Sequence, residues 1–176
     1  ALSCPLLRAL SITNLERLDN PAPPGDLAVL ARLVRAGSGA PRTDEAKTDT
    51  VYIGEPVDVY VKVAVTADLA SISRLYMTAA LAGYTSNPAV LWPRGDITPV
   101  ALNRWEPILR NVTVDEPGGS EILKVVVNSD PYDLTPLVQA FGTCPGTRGL
   151  KGDWTSKVEP VTGWMALAHR IDILKR

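Results

Sequence analysis

Histidine is the side chain best suited to acid–base work near neutral pH. This 176-residue sequence carries one, His169, in the run Trp164-Met165-Ala166-Leu167-Ala168-His169-Arg170. A Ser-His-Asp triad would have to use it as the base, yet no Gly-x-Ser-x-Gly elbow occurs, and Cys4 and Cys144 stand outside any nucleophile motif. One histidine and two cysteines also make a poor tetrahedral zinc set. His169 therefore reads as a strand residue facing solvent or a partner. Asp115, Glu116, Asp130 and Asp133 offer the hard oxygen ligands that calcium takes from loops between strands. The same residue types also serve turns by bonding their own backbone. Calcium is thus the one cofactor the sequence leaves open. No pair of acids is singled out for glycoside hydrolysis. Gly37-Ser38-Gly39 and the glycines from Gly146 to Gly152 lack the strand–loop–helix spacing of a phosphate cradle. The expectation is a protein with no catalytic, cofactor-binding or metal residues: not an enzyme.

Three other features bear on chemistry. Asn111-Val112-Thr113 is a glycosylation sequon, so Asn111 is a candidate modification site on an exported chain and a solvent-facing strand position otherwise. Cys4 and Cys144 form a candidate disulfide, within the chain or between chains. Closed within the chain, a loop of that size adds roughly 4–5 kcal/mol by the chain-entropy argument. In a reducing compartment the two would be separate thiols. Trp92, Trp105, Trp154 and Trp164 fall in the second half; such residues seal a core or an interface, or stack on sugars.

The elements that must position these residues are mostly strands. Fifteen prolines and thirteen glycines, spread along the chain, punctuate short strands and do not suit a helical bundle. Val57 to Thr66 has valine at every odd position to Val65 but Ala64 and Asp58 between, the period-2 pattern of a strand with one buried face. Ser11 to Leu18 reads as a strand, followed by the break Asn20-Pro21-Ala22-Pro23-Pro24-Gly25. Asp26 to Arg35 fits either a helix capped by Asp26 or a strand. Ala36 to Thr50 is a polar loop. Further strands are expected at Arg74 to Ala80, Ala89 to Trp92, and Val161 to Leu174. Ile108 to Val114 and Glu121 to Asn128 flank a Pro-Gly-Gly turn as a hairpin, and Pro131 to Phe141 is a short helix. Such spacing predicts one all-β domain over residues 1–176, a two-sheet β-sandwich, Ig-like or jelly-roll-like, with one or two short helices.

The middle of the chain resembles a known family. Ile53-Gly54-Glu55-Pro56-Val57, then Leu91-Trp92-Pro93, then Pro117-Gly118-Gly119-Ser120-Glu121 ahead of Val125 to Pro131 is similar in order to a domain of unknown function found beside caspase-like peptidase domains and in surface proteins. The match covers residues 52–137. The resemblance implies an Ig-like sandwich used as an accessory or interaction module and carries over no catalytic residue.

Composition narrows the partners. A net charge of −1 with interspersed signs leaves no footprint for nucleic acid or anionic lipid, and no apolar run approaches the ~20 residues of a membrane span. The start at Ala1 fits the residue left by signal-peptide removal, which predicts a secreted or cell-surface location. The apolar opening, with Leu6, Leu7, Leu10, Ile12 and Leu15, precedes the proline break and is able to leave the body of the domain. The expected partner is another copy of the chain, through donation of the segment 1–20 as a strand and, repeated head to tail, a filament. The alternative is an accessory binding module, peptidase-associated or glycan-binding.

Overall fold

In a computed structural model, described for residues 9, 12–13, 15–21, 23–44, 48–66, 74–83, 89–92, 98–114, 119–131 and 164–175, the chain is an all-β two-sheet sandwich. Its strands are β1 (Leu27–Arg35), β2 (Asp49–Tyr52), β3 (Val57–Val65), β4 (Tyr76–Gly83), β5 (Ala89–Trp92), β6 (Trp105–Val112), β7 (Gly119–Asn128) and β8 (Met165–Leu174). One layer is a three-stranded sheet in the order β1-β3-β6; the other is five-stranded in the order β2-β8-β7-β4-β5. Every pairing is antiparallel except β2 with β8.

The alternating valines of β3 explain the smaller sheet. Val57, Val59, Val61, Val63 and Val65 all enter the main core, where they meet Leu123, Val125 and Val127 of β7 from the opposite layer. Burying each such side chain contributes roughly 1.5–3 kcal/mol, so the core fixes the registers. In β7 the other face is apolar too, through Ile122 and Val126. A strand apolar on both faces needs cover on both, and this is what places a further layer outside the five-stranded sheet.

That layer is where the structure departs from the sequence expectation. Ser11 to Leu18 is not a strand: its described residues Ile12, Thr13 and Leu15 to Arg17 are helical, as is Ala9, and the Thr13 hydroxyl donates to the Ala9 carbonyl at 2.9 Å. Ile12 and Leu15 are buried against Ala82 of β4 and Ile122 of β7. With residues three apart on one face of a helix, the pair buries its apolar stripe without any strand pairing.

One open alternative is decided and one expectation is revised. Of the helix and the strand that fit Asp26 to Arg35, the strand forms, as Leu27 to Arg35 pair residue for residue with Val65 to Val57. The proposed hairpin of 108–114 with 121–128 does not form: β6 pairs with β3, whereas β7 pairs with β4 and β8. Both strands carry an apolar face, and placing them in opposite layers lets those faces meet across one core. The expected helix at Pro131 to Phe141 lies outside the described residues beyond Pro131.

The edges of the sandwich are blunted. Strand β6 carries Pro107, which has no N–H to offer, and two register shifts against β3. At the shift between the Val57 and Val59 pairings Asn111 takes φ 52°, and its N–H is received by the Asp58 carboxylate at 2.8 Å, which also takes the Gly37 N–H at 3.2 Å. Strands β2 and β5 are four residues each, too short to template a long addition.

Candidate functional site

Two clusters of polar side chains sit where the sheets would otherwise be apolar. The first lies between the layers. On β8 the core-facing positions run Met165, Leu167, His169, Ile171, Ile173, so His169 points inward; it is buried, correcting the expectation of a solvent- or partner-facing residue. Asp49, at the start of β2, is paired in register with Ile171 and turns the same way. Its Oδ2 receives His169 Nε2–H at 3.0 Å and the Leu33 N–H of β1 at 2.6 Å. Its Oδ1 faces Arg32 Nε at 3.4 Å. A carboxylate only accepts, so Nε2 is the protonated ring nitrogen in this bond.

The geometry explains the cluster. β1 ends the three-stranded sheet and β2 ends the five-stranded one, so both present unpaired backbone at the same side of the sandwich. Asp49 reaches across and satisfies one such N–H, while His169 and Arg32 hold its charge in place. An Asp–His pair also appears in hydrolytic triads, but there the His presents its far nitrogen to a nucleophile. Ser120, the nearest hydroxyl by register on β7, donates to Asp172 at 2.8 Å on the opposite face of the same sheet. The bonds of the cluster tie the two sheet edges together, with the Asp49 carboxylate as the shared acceptor.

The second cluster lies on the outer face of the five-stranded sheet. Lys124, on β7 between Ala80 of β4 and Ala168 of β8, is 1 % exposed. Burial pulls its ammonium from 10.5 down to about 8, with Asp19 and then Glu16 of the N-terminal segment pulling the other way. Around it stand Ile122, Val126, Ala80, Ala82 and Ala166, small or aliphatic residues that let a cover approach closely. Trp164 joins the same face; its indole N–H is buried and finds no acceptor among the described residues. The N-terminal segment closes the face. Ile12 and Leu15 fill one end, Leu18 packs at the other, and Asn20 Nδ2 donates to the Trp164 carbonyl at 2.7 Å.

The remaining sequence candidates separate. Ile12 and Leu15 are buried in their own fold and do not form a free interface strand; Leu6, Leu7 and Leu10 lie outside the described residues, as do Cys4, Cys144, Asp115, Glu116, Asp133 and Trp154. Asp130 is exposed after β7, and Asn111 is exposed on β6. Among the described residues no three His, Cys, Asp or Glu converge as metal ligands, and no helix is long and apolar enough to cross a membrane. The tryptophans do not share one face: Trp92 packs against the main core and Trp164 against the outer cluster. Asp49 and Lys124 were not singled out by sequence. An open cleft of about 340 Å³ lies at one end of the sandwich, lined by Arg35, Ile53, Gly54, Glu55 and Pro56.

No family model, curated protein or solved structure matches the chain.

Proposed function

We propose that the chain is a non-enzymatic interaction and structural domain, secreted or displayed at the cell surface, whose partner is another copy of itself. The observation that carries this reading is the N-terminal segment: a short helical arm, joined to β1 through Asn20-Pro21-Ala22-Pro23-Pro24-Gly25, that docks on β4, β7 and β8 and not on the strand it leads into. An arm with that connectivity makes the same contacts on its own body or on a neighbour's. The buried histidine supports the same reading from the other side, since His169 and Asp49 are engaged in joining the two layers.

Assembly is tested by sedimentation velocity and negative-stain microscopy of the full chain across a concentration series. Species at multiples of 18.9 kDa, growing with concentration into oligomers or filaments, are expected. A single species of one chain's mass throughout would overturn the reading. The accessory-module alternative has one observation in its favour: the residues Ile53, Gly54, Glu55 and Pro56, which carry the family resemblance, line the open cleft. It predicts a stable monomer that binds a peptide or glycan there.

A further inference from the structure

We propose that Asn111 is an N-glycosylation site whose glycan covers the outer edge of β6. The assignment rests on the secreted or surface-displayed location proposed above and not on where the arm docks. Of the six asparagines in the sequence, only Asn111 has a hydroxyl residue two places on, Thr113, with Val112 between. A sequon is used where both of its polar side chains reach solvent. Regular strand alternation from the core residue Leu109 would instead turn Asn111 and Thr113 inward. A bulge prevents this. Between the pairs Val59↔Leu109 and Val57↔Val112, three steps along β6 match two along β3. The extra residue lets Val112 pack toward the core after Leu109 and leaves Arg110, Asn111 and Thr113 exposed.

Asparagine also tolerates the left-handed φ of 52° at this bulge, which alone would account for its presence. Asn103 separates the two uses. At φ 59° it spends its side-chain carbonyl on the Val65 N–H at 2.8 Å. Asn111 is held through its backbone instead, by the Asp58 carboxylate. Its own amide makes no hydrogen bond among the described residues, and neither does the Thr113 hydroxyl. The amide is thus fixed in place and uncommitted, as an acceptor of sugar must be. The donor class is an oligosaccharide joined through its anomeric carbon to a lipid-borne phosphate. In the transfer the bond from that carbon to the phosphate oxygen breaks, and the lipid phosphate leaves with the electron pair. The carbon bonds Asn111 Nδ2, which gives up one proton. The product shields an edge: β6 ends the three-stranded sheet, and Pro107 blunts it toward its start. A bulky, solvated glycan at Asn111 blunts the other end, which closes this edge to a strand from a neighbour.

The test isolates the full chain from the cells that make it, with the cytosolic fraction kept apart from the extracellular and surface fractions. Mass spectrometry then reads the tryptic peptide 111–124, which begins at the sequon and ends at Lys124. In the exported chain this peptide is expected to carry a hexose-containing mass on Asn111. Thr113→Ala should abolish the added mass and Thr113→Ser should keep it, while both leave Asn111 and its bulge in place and leave the urea midpoint of the deglycosylated chain within error of the parent. An exported chain whose Asn111 is bare would overturn the glycan and leave the location standing. A chain found only in the cytosolic fraction would overturn the location and the glycan together. Added mass that survives Thr113→Ala would overturn the sequon assignment.

Discussion

Replacing Asp49 tests the claim that the polar cluster between the layers is a structural stitch. Its carboxylate receives the Leu33 N–H at 2.6 Å and His169 Nε2–H at 3.0 Å, and it faces Arg32 Nε at 3.4 Å, all while 6 % exposed. Hydrogen bonds to a charged group are each worth roughly 1.5–3 kcal/mol, and removing one member of a buried pair costs about 3–5 kcal/mol because the partners stay buried. Asp49→Ala is therefore expected to lower unfolding free energy by about 3–5 kcal/mol. For a domain of this length that is a fall in Tm of roughly 6–20 °C. Asp49→Asn keeps one acceptor for the Leu33 N–H but turns an amide donor toward Arg32 or His169, so a loss of about 2 kcal/mol is expected. Urea unfolding followed by tryptophan emission reads both, with an unchanged m value showing that only stability has moved. The double variant with His169→Ala should recover part of the combined loss, since the two side chains interact directly. A loss under about 1 kcal/mol for Asp49→Ala, or strict additivity with His169→Ala, would refute the stitch.

Further expectations concern two other buried charges, Lys124 and Asp58, and one turn. Lys124 titrates at about 8 when folded against 10.5 when exposed, so the unfolded chain binds more protons between those values and stability rises with pH from about 8 to 10.5, by roughly 3 kcal/mol in all. Asp19 and Glu16 of the arm act on it, Arg170 lies diagonally on β8, and β4 presents Thr78, Ala80 and Ala82 on that face. Lys124→Met is expected to be about 1–3 kcal/mol more stable at pH 7 and to lose that pH-dependent rise; parallel stability–pH curves for the two proteins would contradict this. Asp58→Ala removes the acceptor of two backbone N–H groups, at Gly37 and Asn111, and should cost about 3 kcal/mol in the same urea assay, with Asp58→Asn losing about half. Gly54 takes φ 78° in the turn closed by Glu55 N–H on the Tyr52 carbonyl, so Gly54→Ala should cost about 1 kcal/mol even though open space surrounds the new methyl.

How far the sequence could be read follows from where each signal lies. The valine alternation of β3 and the long apolar run of β8 are local patterns, and both strands are found where they were expected. The segment 26–35 is ambiguous locally and is settled only by its pairing with β3. The false hairpin came from a turn motif between two strands whose partners are distant in sequence. Asp49 was hidden because it opens a four-residue strand within a polar stretch. His169 did carry a signal: it interrupts the apolar stripe Met165, Leu167, Ile171, Ile173, which marks a histidine with a buried partner. Lys124 carried another, as the one charge in Ile122-Leu123-Lys124-Val125-Val126-Val127, a strand apolar on both faces and so covered on both. The helical arm was mistaken for a strand because eight residues of mixed character do not distinguish a 3.6 period from a period of 2.

The measurement that bears most directly on the central claim is the molar mass of the full chain by light scattering, with and without an excess of a synthetic peptide of residues 1–20. The chain is expected to scatter as multiples of 18.9 kDa, with the mass falling toward one chain as the peptide competes for the face around Lys124. A mass of one chain at every concentration, or an assembly the peptide leaves untouched, would contradict the account.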